Sequence, residues 1–260
     1  MKLLSLLEHL EYKCLQGNTE QEVTSVVYDS RKVEEGSLFI CIRGAVVDGH
    51  KFVPDVIAKG AKTLIVEEPV EAPADVTVIQ VEDTRYAMAF ISAAWFGHPA
   101  RKLKTIGITG TKGKSSTAYY LKYIFDEYLA AKGQPASGVI SSIETYDGVE
   151  KFESHLTTPE PLDLERHFAN GVATGMRYLT MEVSSQALKY KRVRGLKFDV
   201  GIFLNISEDH ISPCEHENFE DYFASKLSLF KQTKVACVNL DSAEKERILS
   251  ASQIAEKVLT

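Results

Sequence analysis

Four cysteines in 260 residues, Cys14, Cys41, Cys214 and Cys237, are few and scattered. No two of them make a C-x-x-C pair, so neither a zinc site nor a disulfide framework is expected, and free thiols of a reducing compartment are. Long apolar runs are missing as well. No stretch approaches the roughly 18 apolar residues of a membrane-spanning helix, so no membrane partner is expected. The leading run MKLLSLLEHLEYK is interrupted by Glu8, His9 and Glu11 and lacks a small-residue cleavage site. It reads as a short amphipathic helix and not as a signal peptide, which places the chain in the cytoplasm. An excess of basic residues is absent too. Thirty Lys and Arg against 36 Asp and Glu leave a net charge of −6, which disfavours a general nucleic-acid binder. There is no internal repeat, no low-complexity tract, and no Ser-His-Asp or Cys-His pattern for nucleophilic catalysis.

What is present is an ordinary globular composition, 44% apolar, in a chain long enough for two domains. The first hundred residues read as a small α/β unit. Strands are expected at 23–28, 37–42, 63–66 and 76–81, where β-branched and aromatic residues cluster. Helices are expected at 54–59, stopped by Gly60, and from Asp83 as cap to about Phe96. The basic stretch Arg101-Lys102-Leu103-Lys104 reads as a linker, giving domains 1–100 and 101–260. In the second, strands are expected at 105–109, 138–140, 178–183, 198–204 and 235–238. Helices are expected at 115–132, from Pro161 to about 173, and at 219–230, with a hairpin turn at Asp147-Gly148. Tyr120, Leu121, Ile124, Phe125 and Tyr128 recur at helical spacing and are expected in the core. The last residues, Val258-Leu259-Thr260, continue a helical pattern. Strands alternating with helices define a doubly wound α/β domain.

One stretch carries chemistry openly: Thr105-Ile106-Gly107-Ile108-Thr109-Gly110-Thr111-Lys112-Gly113-Lys114-Ser115-Ser116-Thr117. An apolar strand runs into a glycine loop and then a helix start. Gly110 and Gly113 permit a tight turn with inward N–H groups. A helix N-terminus carries about half a positive charge, and Lys114 adds an ammonium, so the expected guest is a nucleotide triphosphate. The general phosphate-loop pattern asks for glycine where Ile108 stands, so the loop is a variant or a coincidence. Two more apolar strands end in polar residues: Glu182 before Val183-Ser184-Ser185, and Asn205 to His210 (N-I-S-E-D-H). Ligands of open α/β sheets bind beyond the carboxyl ends of strands, and a carboxylate and an imidazole beside a phosphate loop can hold divalent ions. Singly, Glu182 reads as a cap and His210 as a loop histidine; three strand ends together favour a site. Lys226, alone, reads as a solvated helix lysine.

In their order and spacing G-T-K-G-K-S, T-T-P-E, M-E-V-S-S and N-I-S-E-D-H resemble the Mur ligases, ATP-dependent amide-bond ligases of peptidoglycan assembly, and most of all the MurE type. Asp29-Ser30-Arg31 and Gly44-Ala45-Val46-Val47-Asp48-Gly49-His50-Lys51-Phe52 are similar to that type's uridine-nucleotide-binding domain. The likeness covers essentially the whole chain and leaves out the family's third domain, expected after residue 260. It implies ATP and Mg2+ as cofactors, with a uridine-nucleotide domain followed by a P-loop-type ATPase domain. The implied partners are UDP-N-acetylmuramoyl-dipeptide and an amino acid, meso-diaminopimelate or L-lysine, and a monomer is implied. It assigns Gly110, Thr111, Lys112, Gly113, Lys114, Ser115 and Ser116 to ATP, and Ser115, Glu182 and His210 to magnesium. Ser30, Arg31, Thr157, Thr158, Ser184 and Arg192 fall to the substrate. It makes Lys114, Glu182, His210 and Lys226 catalytic, Lys226 as the lysine that this family carbamylates. The sequence departs from the family pattern at Lys112, in place of asparagine; at Ser115, in place of threonine; and at Gln186, in place of histidine. Ile211-Ser212-Pro213-Cys214-Glu215-His216 replaces H-L-D-Y-H-G, about two residues farther from Lys226. An incomplete module that binds both nucleotides without turnover, and another amino-acid ligase of the same fold, stand as alternatives.

Overall fold

The computed structural model describes residues 1–44, 47–212 and 215–260. Ala45 and Val46 of the glycine-rich segment, and Pro213 and Cys214 of the altered segment, lie outside the described residues. The chain divides into two compact units, Met1–Gly97 and His98–Thr260.

The first unit runs α1 (Leu3–Leu6), β1 (Lys13–Gln16), β2 (Ser25–Val27), β3 (Ser37–Ile40), α2 (Val53–Ala58), β4 (Thr63–Val66), β5 (Thr77–Gln80) and α3 (Thr84–Trp95). Its sheet has the order β1-β5-β4-β3-β2. The strands β2 to β5 are parallel, and their apolar runs are buried because helices cover a parallel sheet. Asp83 caps α3 as its position before the helix suggested, its side chain accepting from the Tyr86 N–H. Two expectations change. The amphipathic helix of the N-terminus is four residues long, with Leu3, Leu6 and Leu7 buried. After it the chain turns back to lay Lys13–Gln16 antiparallel on β5. A short strand held by backbone pairing on an edge needs no side-chain alternation, and K-C-L-Q shows none.

The second unit runs β6 (Lys104–Thr109), α4 (Lys114–Ala130), β7 (Gly138–Ile140), β8 (Glu144–Tyr146), β9 (Lys151–Glu153), α5 (Pro161–Ala173), β10 (Tyr178–Glu182), α6 (Ser185–Lys189), β11 (Phe198–Phe203), α7 (Phe219–Leu227), β12 (Thr233–Val238), α8 (Lys245–Ser252) and β13 (Lys257–Leu259). Its sheet has the order β13-β12-β11-β6-β10-β7-β8-β9. All but the last two strands are parallel, and β8 and β9 form the antiparallel hairpin that Asp147-Gly148 announced. Buried Asp147 closes that hairpin, accepting from the Val149 and Glu150 N–H groups on one oxygen and from His167 Nδ1 and Asn170 on the other.

Three expectations change here as well. The basic linker is structured: Pro99–Lys102 forms a 3-10 turn, and Lys104 opens β6 with its ammonium 3.1 Å from Asp199. The terminal residues are a parallel edge strand, not helix, since β12 leaves an edge for Lys257–Leu259 to pair with. Finally, α4 has one face for the sheet. Ala118, Leu121 and Phe125 fill it, Phe125 stacking on Tyr178 at 4.7 Å. Tyr120 and Ile124, expected in the core, are 71% and 63% exposed, and Tyr128 is exposed beside them. Helical spacing alone cannot choose between two apolar stripes of one helix.

Candidate nucleotide-binding site

Three strands that are scattered in sequence, β6, β10 and β11, are neighbours at the centre of the sheet, in the order β11-β6-β10. Their carboxyl ends deliver the glycine loop, Glu182 and the Asn205–His210 segment to one place. The loop turns through Gly110 at φ +152° and Gly113 at φ +84°, the latter standing immediately before α4. Gly110 is packed so closely that a Cβ would lie 2.9 Å from that of Leu204. Asn205 braces the loop from both sides. Its amide oxygen accepts from the Lys112 N–H at 2.9 Å and its amide nitrogen donates to the Lys112 carbonyl at 3.1 Å.

Two lysines converge on this loop. Lys114 Nζ donates to the Gly110 carbonyl at 2.9 Å and to the Thr111 carbonyl at 3.2 Å. Lys226, on α7, also donates to the Gly110 carbonyl at 2.9 Å and lies over the Tyr222 ring. The solvated surface lysine suggested by position alone is therefore a buried one, 1% exposed. Burial, with the Lys114 charge adding to it, pushes its ammonium down to about 7. Burial also pulls Lys114 below the usual lysine value, against the attraction of the Glu182 carboxylate.

Glu182 is buried at the end of β10 and accepts from the Ser142 N–H at 2.9 Å and, at 3.3 Å, from its hydroxyl. The Ser142 hydroxyl lies 3.1 Å from that of Ser115. So Ser115 and Glu182 are joined through Ser142, a residue that no sequence signal marked. Ser116 is exposed on the first turn of α4. Thr111 is turned inward, its hydroxyl 3.0 Å from the Tyr222 hydroxyl and accepting from the Ser207 N–H. Its N–H donates to the Asn205 carbonyl at 3.0 Å, so Thr111 braces the loop against the neighbouring strand end.

Next to the loop is a cavity of about 190 Å³ lined by Lys114, His155, Thr157, Ser184, Arg192, His210 and Lys226, among others. It is rich in cations and hydroxyls. Arg192 makes an ion pair with Glu160 at 2.8 Å and donates to the Thr158 carbonyl at 3.2 Å. Thr158 itself is fully buried, its hydroxyl donating to the Glu182 carbonyl and accepting from the Ser184 N–H. It ties two loops together while Thr157 faces the cavity. Ser184 caps α6. His210 has a left-handed backbone, φ +56°, and its Nδ1 lies 3.0 Å from Glu215. Gln186 reaches the same Glu215 oxygen. His216, missed in the sequence, is buried against Tyr222 with Nδ1 3.0 Å from Asp221.

Magnesium prefers oxygen ligands and retains waters. Ser115 and Glu182 fit that preference: a hydroxyl at the head of α4 and a buried carboxylate, linked through one serine. His210 stands in the wall of the adjoining cavity with one ring nitrogen facing Glu215, leaving Nε2 as its other donor atom.

In the first unit, Asp29 caps the 3-10 turn Ser30–Lys32 and is clasped by the Arg31 guanidinium at 2.8 Å, which holds its carboxyl down to about 2. Ser30 presents its carbonyl to Lys59. Asp48 repeats the device, capping Gly49–Phe52 and holding His50 Nδ1 at 2.6 Å, while His50 Nε2 accepts from the Glu67 N–H.

A glycine loop between the central parallel strand and its helix, with a carboxylate at the end of the adjacent strand and lysines from two helices, defines a P-loop-type α/β protein. Family models for the Mur ligase middle domain and for the Mur ligase family catalytic domain match residues 108–260 and 22–96. The chain belongs to the Mur ligase family. It is 44% identical over 241 residues to the UDP-N-acetylmuramoyl-L-alanyl-D-glutamate–2,6-diaminopimelate ligase of Clostridium perfringens, covering 93% of this chain and 48% of that one. It is 46% identical over 220 residues to the corresponding L-lysine ligase of Enterococcus faecalis, covering 85% of this chain and 42% of that one. A solved UDP-N-acetylmuramoyl-L-alanyl-D-glutamate–2,6-diaminopimelate ligase superposes on the whole chain with a TM-score of 0.80 at 23% identity, over 52% of its own length. The chain thus spans about half the length of the curated relatives it matches.

Proposed function

We propose that this chain supplies the nucleotide-binding parts of an ATP-dependent ligase that joins an amino acid to UDP-N-acetylmuramoyl-L-alanyl-D-glutamate. The observation that carries the reading is the convergence of Lys114 and Lys226 on the Gly110 carbonyl, beside the Ser115–Ser142–Glu182 chain. The resemblance to ligases that add diaminopimelate or lysine supports the substrate class. Units 1–97 and 98–260 would take the uridine end and ATP respectively, with Ser30 and Arg31 serving the first.

The chemistry asks for little acid–base machinery. A substrate carboxylate attacks the γ-phosphorus of ATP and ADP leaves, giving an acyl phosphate; an amine then attacks the acyl carbon and phosphate leaves. Both partners of the first step are anions, so their repulsion must be screened. Lys114 and the N-terminus of α4 would do so. Magnesium, held by Ser115, Glu182 and His210, would supply the remaining positive charge. Thr157, Ser184 and Arg192 would orient the carboxylate from the cavity wall, with Thr158 fixing that wall. Lys226, brought to about 7, carries a neutral amine fraction near neutrality. That form can add CO2 with loss of a proton, and the resulting carbamate is an anion suited to a metal.

Calorimetric titration of the chain with ATP, and separately with UDP-N-acetylmuramoyl-L-alanyl-D-glutamate, tests the proposal. Both ligands are expected to bind, and Lys114→Ala to weaken ATP by at least about tenfold, the scale of one charge-assisted phosphate contact. Unaltered ATP affinity in that variant would refute the site. The alternative reading is a module that binds both nucleotides without turnover. Ligand binding with no amino-acid-dependent phosphate release would select it.

A further inference from the structure

The loop carries a third ammonium that the convergence on Gly110 does not involve. Lys112 sits between Thr111 and Gly113 with both its backbone groups clamped by Asn205. Its side chain is 78% exposed and reaches Asp209 at 2.9 Å. Asp209 is the residue before His210 and belongs to the neighbouring strand end. Its two oxygens have separate duties: Oδ2 takes the Lys112 ammonium, and Oδ1 accepts from the His210 N–H at 3.0 Å. The carboxylate therefore stays anchored whether or not the lysine is present.

Both charges act on Lys114, the lysine proposed for the phosphates. The Lys114 ammonium feels the repulsion of Lys112 and the attraction of Asp209. A cation at this place is attractive to a polyphosphate and an anion is not. Yet in the structure the anion cancels the cation. An exposed pair of this kind shifts an equilibrium by no more than about one- to five-fold, so a triphosphate with several charged oxygens can displace the carboxylate at small cost. Lys112 need change only its side-chain rotamers, since Asn205 holds its backbone.

We propose that Asp209 is a placeholder for phosphate: its carboxylate and a phosphate oxygen compete for the Lys112 ammonium, and Lys112 exchanges the first for the second when a nucleoside triphosphate binds. This rests on the reading of the loop as an ATP site. It adds a competitor to that site and sets Lys112 apart from Lys114, which is held by backbone carbonyls rather than by a carboxylate. Release of Lys112 also leaves Asp209 with a free oxygen next to His210.

The exchange predicts opposite signs for the two partners. Calorimetry with Mg-ATP on the chain and on its Lys112→Asn, Asp209→Asn and double variants measures them, thermal melts confirming that each is folded. Lys112→Asn is expected to weaken ATP about tenfold, with Lys112→Arg recovering most of the loss. Asp209→Asn is expected to tighten ATP about threefold, and to have no effect once Lys112 is asparagine. If both single variants weaken ATP, the pair merely braces the loop and the exchange is overturned. If Asp209→Asn tightens ATP equally with asparagine at 112, the carboxylate acts by general repulsion and the exchange is again overturned. Failure of the unaltered chain to bind ATP is a different result, refuting the nucleotide reading and the exchange with it.

Discussion

Glu165 and Lys226 are the two buried side chains whose charge the fold resists most visibly, and they do so over different pH ranges. Glu165, on α5, is 4% exposed and one of its oxygens has no hydrogen-bond partner. Burial pushes its carboxyl up to about 8, against the pull of Arg101. Below the ordinary carboxylate value of 4.5 it is protonated in folded and unfolded chains alike. Between there and pH 8 only the folded chain keeps the proton, so stability falls as pH rises. Glu165→Gln should remove that slope and be more stable than the parent at pH 8, by on the order of 2 kcal/mol. Urea denaturation at pH 5 and pH 8 checks this; an unchanged slope would contradict it. Lys226 has the opposite sense. Its value lies below that of an unfolded lysine, so the cost of burying its charge is felt below about pH 7 and relieved toward 10.5. Neither burial is legible in the sequence, because a glutamate and a lysine on amphipathic helices look like solvated residues until the packing is known.

At the scale of elements, the strand–loop–helix unit around Gly110 is the part the sequence describes best. The strand, the glycine positions and the helix start are local features, and each is where residues 105–117 put it. The two glycines differ in what they demand. Gly113 has a positive φ, and a Cβ there would meet only Leu204 Cδ1 at an ordinary 3.8 Å, so Gly113→Ala should cost about 1 kcal/mol, the conformational penalty alone. Gly110 adds a 2.9 Å clash with Leu204, and Gly110→Ala should cost about 2–4 kcal/mol. Denaturant midpoints of the two variants compare them directly, and equal losses would mean that the Leu204 contact is soft. Elements whose existence depends on a neighbour were not legible. β1 and β13 form because β5 and β12 leave edges for them. The outward face of α4 is exposed because the sheet covers only the other stripe.

Each of the two compact units has buried apolar clusters of its own. Leu64, on β4, belongs to an apolar cluster of the first unit, and Phe168, on the inward face of α5, to one of the second. Both are fully buried. Leu64→Ala should cost about 2–5 kcal/mol and Phe168→Ala about 3–5 kcal/mol. The two clusters have no residue in common, so the two losses should add in the double variant to within about 0.5 kcal/mol. A shortfall above 1 kcal/mol would show that the cores are coupled. No described helix is long and apolar enough to cross a membrane. The sequence by itself determined the α/β class, the glycine loop and the family, because strand composition, glycine spacing and short motifs are properties of consecutive residues. The tertiary structure alone decided that β11, β6 and β10 stand side by side, that Ser142 links Ser115 to Glu182, and that Lys226 is buried on the Gly110 carbonyl. Those facts depend on which strands pair and which helix face meets the sheet. Burial and pairing over long sequence separations set them, and no local pattern encodes either.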